Sequence, residues 1–558
     1  MEPVVGIDLG TTNSEIAFII DDNAEILRES DNGIMPSCVG LNRDGKIIIG
    51  REALNQAVIS PEKTVLSVKR RMGTDEKIRL GDDTYLPQEI SAFILKALKA
   101  RAERVLKKNV AKAVITVPAY FTDAQRQATR EAGEIAGLEV VRIINEPTAA
   151  SLAYESQHSG TQKILVYDLG GGTFDVSIVK IEQGVVEVLS STGDNHLGGD
   201  DFDRKIVDLL TGHIENGLKL PVRGNLQVTA RLKQAAEKAK IELSSAPFAK
   251  IEEDHIGKSL SKDIHLTYEL SRQDFVDMIE DDLSRTMDSV SKALRDANLV
   301  PADIDKVILV GGSTRIPAVS EMLEERIGKT PHSEIDPDLC VALGAAIQAG
   351  REMGMEHTGI LLDITPYTFG TSCLGEIDGV MTRDYFVPLI KRNTKLPASK
   401  SDVFYTVVEQ QKLVEINIFQ GENTNAKLNV PIGKYMFKLS RLPMGSEIIL
   451  TMDLDLNGIL KVRAVEKKTG KNIDFVIENA MNQFTEKQIA EARQRLHSVW
   501  DSGTGVEEDS GENYDIGAPE GAPGAPETIS DEPHAGLIKK AEELLDSAPD
   551  EDRDRKSV

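Results

Sequence analysis

The chain has 558 residues, too many for one ordinary domain, so two to four are expected. A net charge of −25 argues against nucleic acid as the main partner, and three scattered cysteines, Cys38, Cys340 and Cys373, suit neither a disulfide framework nor a zinc site. No apolar run approaches the roughly 20 residues of a membrane span, and no basic stretch followed by an apolar region opens the chain, so the expectation is a cytoplasmic protein without a membrane partner. The acidity is uneven: residues 501–558 hold 17 acidic and 5 basic residues, nearly half of the excess.

Residues 1–358 alternate strand-like and helix-like stretches, the pattern of an α/β domain. VVGIDLGTTNSEIAFI opens it: a β-branched run, then Asp8-Leu9-Gly10, then Thr11, Thr12 and Asn13, then a second β-branched run. AKAVITVPA reads as a buried strand. TDAQRQATREAGEIAGL reads as a helix opened by Thr122 with Gln125 three residues on, a capping box. VVRIINEP is a strand ended by Pro147. KILVYDLGGGTFDVSIV then repeats the opening phrase around Asp168, a spacing that suits a duplicated half-domain. VILVGGSTRIP is strand, glycine turn, then Ser313-Thr314 at a helix start.

Residues 359–366, GILLDITP, form an apolar tract after a polar stretch, and an apolar linker is expected to dock somewhere. Residues 367–482 change to period two, with turn signals such as Leu456-Asn457-Gly458, and read as an all-β domain. Within 483–500, FTEKQIAEARQRLHSVW reads as a helix with Ile489, Ala492, Leu496 and Val499 on one face and Thr485 with Gln488 as its cap. Residues 501–534 are rich in Gly, Pro, Ser and acids and are expected to be disordered. The remnant 535–558 holds AGLIKKAEELL, marginal as a helix by itself.

The repeated Asp-Leu-Gly turn carries the chemistry. Glycine lets backbone approach a ligand closely, successive N–H groups form a concave anion site, and Thr11, Thr12 and Thr173 add hydroxyls. Asp8 and Asp168 would repel a bare phosphate, but suit a hydrated Mg²⁺ lying between carboxylates and phosphate oxygens. Two such turns facing each other would clamp a polyphosphate from two lobes. The Walker pattern is absent. The glycine turn at 310–317 suits an adenosine moiety.

GIDLGTTNS, VITVPAYFTDAQRQAT, RIINEPTAASLAY, DLGGGTFDVSI, HLGGDDFD, AAEKAKIELSS, ILVGGSTRIP, DPDLCVALGAA and LLDITP occur in one order. With these motifs the chain resembles the DnaK-type molecular chaperones of the heat shock protein 70 family from residue 4 to about 500. The resemblance implies a two-lobed actin-like ATPase domain of duplicated ribonuclease-H-like fold, a linker, a β-sandwich substrate-binding domain, and a helical lid. It implies ATP-dependent binding of extended apolar segments of unfolded proteins, with ATP or ADP and Mg²⁺ bound and K⁺ as an optional second ion. It also implies a J-domain co-chaperone and a nucleotide-exchange factor as partners.

Carried over by motif, Gly10, Thr11, Thr12, Asn13, Gly170, Gly171, Gly172, Thr173, Gly198 and Gly199 would hold phosphates, with Asp8 and Asp168 holding Mg²⁺ through water and Asp175 close by. Lys69 matches the catalytic lysine, which would contact the γ-phosphate; outside the family it would read as a solvated lysine. Glu146 matches a residue orienting water or metal, and an ion-pair or capping role is compatible with that. Glu237, Lys240 and Ser244 share a helix face and match ribose and adenine contacts, although a solvated face would look the same. Gly311, Gly312, Ser313, Arg315 and Asp338 would close the base pocket. Phe404, Val414 and Ile416 match the peptide cleft, and Leu374 and Val407 the arch over it, against the alternative that all five are sandwich core. Arg142 and Asn145 match surface positions near the J-domain contact, or are strand-end surface groups. Pro147, Ile360, Leu361, Leu362 and Asp363 belong to the interdomain route.

Five departures stand out. The lid is short. Thr371 stands where an apolar cleft residue is usual, and the turn after it is long. Residues 31–40 lack an expected arginine, and 71–90 is shorter than usual. Alternatives of other classes are a filament-like actin-fold ATPase with one dedicated partner and a small-molecule kinase. The kinase lacks a sugar-site signature or a carboxylate placed as base.

Overall fold

Two strand pairs of one design head the two main sheets. Val4–Leu9 runs antiparallel to Asn13–Ile20, and Gln162–Leu169 runs antiparallel to Phe174–Glu182. Each first strand has a parallel neighbour on its other side, Lys112–Val117 in one sheet and Lys306–Val310 in the other. The repeat in the sequence is therefore a repeat of topology. Its β-branched runs are nearly continuous because both faces of each sheet are covered. The computed structural model describes residues 2–501 except 30, 156–159, 183, 219–221, 223, 260–261, 333–334, 356–359 and 477–483. The expected domain edges at 358 and 482, the acidic segment after 501 and the remnant 535–558 fall outside the described residues.

Helices Glu146–Glu155 and Cys340–Glu352 share one core with both sheets, packing Ala149 and Ala345 against Val4, Val114, Ile164 and Val166. A Cβ on Gly344 would fall on the backbone of Ala149, so only glycine permits that approach. Helix Asp123–Ile135 is capped as expected: Thr122 Oγ1 accepts from the Gln125 N–H and the Thr122 N–H donates to Gln125 Oε1 at 3.0 Å. The helix expected at Ser313 starts later. Gly312–Arg315 is a 3₁₀ turn, and the α-helix begins at Pro317, whose fixed φ and missing N–H suit a first turn.

The apolar linker does dock. Ile360–Leu362 adds a parallel strand beside Val185–Asp194 at the edge of the second sheet. Beyond it lie two antiparallel four-stranded sheets with a common core. The period-two reading holds: Ile448, Leu450, Met452 and Leu454 face inward against Leu460, Val462 and Ala464. This β part rests on the α/β part. Asn457 Oδ1 accepts from the Ile143 N–H at 3.1 Å, Tyr367 Oη donates to the Tyr120 carbonyl at 2.6 Å, and Arg392 pairs with Asp296 at 2.7 Å.

Helix Glu486–Asp501, capped by Thr485 and Gln488, does not bury its apolar face in the sandwich. Ala492 and Leu496 enter the core of the first lobe, with Ile489, Val499 and Trp500 packed around it. Arg495 pairs with Glu89, and Lys96 lies 3.0 Å from His497 Nδ1 and 4.8 Å from the Trp500 ring. Near this seam Glu131 is buried, and burial pushes its carboxyl up to about 8 against hydrogen bonds from Gln127, the Phe484 N–H and Gln88. An acid raised in the packed state loses its stabilising contribution as pH rises from the ordinary 4.5 towards 8. Trp500, the single tryptophan, should therefore become more solvent-exposed by fluorescence across that window, and Glu131→Gln should flatten the profile. Identical profiles for the two proteins would contradict this.

Candidate active site

The two Asp-Leu-Gly turns face each other across one cavity of about 380 Å³. Asp8, Gly10, Thr11, Thr12 and Asn13 line it from the first lobe; Asp168, Gly170, Gly171 and Thr173 line it from the second. The turns also touch: a Cβ on Gly171 would collide with the Thr12 hydroxyl. Gly172, Gly198 and Gly199 do not line the cavity but support it from behind. The Gly199 N–H donates to the Gly170 carbonyl at 3.0 Å, and the Asp200 N–H donates to Gly171 at 2.7 Å. Asp175 also lies off the cavity, accepting from the Ala119 and Tyr120 N–H groups.

Lys69 is not a solvated lysine. It is 4% exposed and pairs with Glu146 at 2.5 Å inside the cavity. Burial pulls the ammonium down, but Glu146 and Asp8 outweigh it and hold Lys69 above its ordinary range. Burial raises the Glu146 carboxyl to about 7 against the pull of Lys69. Asp8, hydrogen-bonded by Thr116 Oγ1 at 2.9 Å, is raised by burial, and Asp168 is raised far more, by burial and by the charges of Glu146, Asp175 and Asp8. Glu15 also lines the cavity and was not singled out from the sequence; burial and the charges of Asp8 and Asp338 push its carboxyl well up. Its signal lay in the repeat: it stands seven residues after Asp8, as Asp175 stands after Asp168.

The other wall holds Glu237, Lys240, Ser244, Gly311, Gly312, Ser313, Arg315 and Asp338. Lys240 pairs with Asp203 at 2.9 Å, and Arg315 spans Asp336 and Asp338 at 2.7 and 2.8 Å. Apolar Ile241, Ile316, Pro337 and Val341 complete this wall; spacing alone could not distinguish them from core. The site's cations are thus already paired, while its carboxylates outnumber them. Among the described residues no three His, Cys, Asp or Glu side chains converge on a protein-only metal site. That donor set fits a hydrated divalent ion shared with phosphate oxygens.

The cleft residues of the β part divide. Leu374 and Val407 are about half exposed, Phe404 and Val414 pack partly against the sandwich core, and Ile416 is inside it. Thr371 is buried with its hydroxyl donating to the Asn417 carbonyl at 2.7 Å, which satisfies the polar group in this position. Asn145 is not a surface group. It is 4% exposed, its amide donates to Asp363 Oδ2 at 3.0 Å, and it accepts from Arg126 at 2.6 Å. Arg142, three residues earlier in the strand, is half-buried, and Pro147 is buried in the helix that Glu146 begins.

The profile of the family described as Hsp70 protein matches residues 4–79 and 74–544. The chain belongs to the Hsp70 family. A relative named Chaperone protein DnaK, from Thermotoga neapolitana, is 46% identical over 488 residues, covering 85% of this chain and 80% of that protein. The chain is accordingly an ATP-dependent chaperone that binds unfolded proteins, and it hydrolyses ATP. Among the described residues no helix is long and apolar enough to cross a membrane. If Lys69 acts on the phosphates, Lys69→Ala should lower single-turnover ATP hydrolysis about 100-fold or more while Mg²⁺-ADP still binds. A hydrolysis rate equal to wild type would remove Lys69 from the chemistry.

Proposed function

We propose that this Hsp70 chain takes ATP between its lobes with the phosphates on the turns at 10–13 and 170–173, and the adenosine against Glu237, Lys240, Ser244 and the turn at 311–315. Mg²⁺, when bound, would neutralise phosphate oxygens, held through water by Asp8 and Asp168, with monovalent K⁺ as an optional second ion. Lys69 would place its ammonium on the γ-phosphate, and Glu146 would hold Lys69 in position and orient the attacking water. Phosphoryl transfer asks for positioning and charge more than covalent help, which suits a site of fixed ion pairs.

The observation that carries the coupling is a pair of neighbours. Asn145 bonds the linker acid Asp363, and Glu146, next in the chain, pairs with Lys69 in the cavity. A shift of either partner moves the same strand end. ATP would therefore favour the docked linker and the helix 486–501 seated on the first lobe; hydrolysis would release both and let the β part, with Leu374, Phe404, Val407, Val414 and Ile416, close on an extended apolar segment. The ATPase part would span 1–358, the linker 359–366, the peptide-binding part 367–482 and the lid start 483–500. A J-domain partner would act near Arg142 and Asp363, a nucleotide-exchange factor on the lobes, in the cytoplasm.

Protease sensitivity near residue 358 and Trp500 fluorescence should both differ between ATP and ADP, and Asp363→Ala should abolish both differences without abolishing ATP binding. Readings indifferent to the nucleotide in the wild-type chain would contradict the coupling.

A further inference from the structure

Glu15 is where the internal repeat is broken. In the second hairpin Asp175 stands directly across the ladder from Asp168. It is buried, and its carboxylate accepts the N–H of Ala119 at 2.9 Å and of Tyr120 at 3.1 Å. That acid has a structural task and its partners satisfy it. In the first hairpin Glu15 stands across from Asp8 in the same register. It too is buried, at 2% exposure, yet among the described residues no hydrogen bond or ion pair reaches its carboxyl group, and it opens onto the cavity.

Residues directly opposite in an antiparallel pair share a face, with Cβ atoms about 4.5–5.5 Å apart, and like charges there repel. Glu15 therefore brings a second carboxylate beside Asp8 on the cavity wall. Among the described residues the cations that reach it, Lys69 and Arg101, offset it only in part. Lys69 is committed to Glu146, and Arg101 to Asp31 and the Gly33 carbonyl. A buried acid without a partner is costly, and here the rest of the offset has to come from what enters the cavity. Its extra methylene over aspartate reaches further into that space.

We infer that Glu15 is a further positioning residue of the nucleotide site, holding with Asp8 the water shell of the divalent cation that arrives with the nucleotide. This rests on the proposed Mg²⁺-nucleotide reading of the cavity and adds a consequence. With the cation present, Glu15 strengthens the site. With the cation removed, the carboxyl has no counter-charge to serve and adds nothing to nucleotide binding. The ratio of ADP affinities with and without Mg²⁺ is therefore steeper than Asp8 and Asp168 alone would make it.

The test is calorimetric titration of the full chain with ADP, once in excess Mg²⁺ and once in EDTA, for wild type, Glu15→Gln and Glu15→Ala. Removing one carboxylate from a buried cation site should shrink the affinity ratio about tenfold in either variant, chiefly through weaker binding in excess Mg²⁺. Two variants are used so that one that fails to fold does not decide the result. A strongly cation-dependent wild type with an unchanged ratio in a folded variant would overturn the role of Glu15 alone. A wild type whose ADP affinity is indifferent to Mg²⁺ would overturn the reading of the cavity on which that role rests.

Discussion

The buried Lys69–Glu146 pair is the interaction on which the other features turn. Taking both charges out of water costs more than their attraction returns unless further bonds assist, so such a pair is a poor way to gain stability. Here it places a fixed cation at the bottom of a cavity otherwise rich in carboxylates. Glu146 is also the first residue of a helix whose next residue is Pro147, directly after a strand of the first sheet. The pair therefore ties the chemistry to a strand end, and that strand end, through Asn145, to the linker.

Charge accounts for why two lobes are needed. Asp8 and Asp168 come from equivalent strands of different sheets, and the charge of Asp8 adds to what raises the proton affinity of Asp168 across the cavity. On the proposed reading each lobe would present half of a phosphate site and half of a cation shell. A nucleotide with its cation would complete both halves at once, and its binding energy would then be available to hold the lobes together. The linker strand at the edge of the second sheet and the helix 486–501 on the first lobe are the elements positioned to respond. A two-state element biased from both ends in this way is what reciprocal coupling between nucleotide and peptide requires.

Much of this was legible in the sequence where chemistry is local. The doubled Asp-Leu-Gly turn announced two equivalent hairpins, Thr122 and Gln125 announced a helix start, and alternating residues at 447–466 announced strands with one buried face. What escaped was non-local. Ile489, Ala492 and Leu496 revealed an apolar face but not its partner, because hydrophobic attraction has no direction. Asn145 read as a surface group, near the J-domain contact or simply at the strand end, because its cover, Asp363, lies 218 residues away. Glu15 drew no reading of its own, and its register opposite Asp8 gives it meaning.

The central claim is that the Lys69–Glu146 pair and the linker contact act as one unit through Asn145 and Glu146. A double-mutant cycle of Glu146→Gln and Asp363→Asn, read as apparent ATP affinity, tests it most directly. The account predicts a departure from additivity of about 1 kcal/mol or more, in the range of residues sharing one network. Effects that simply add would show that site and linker are independent, and would contradict it.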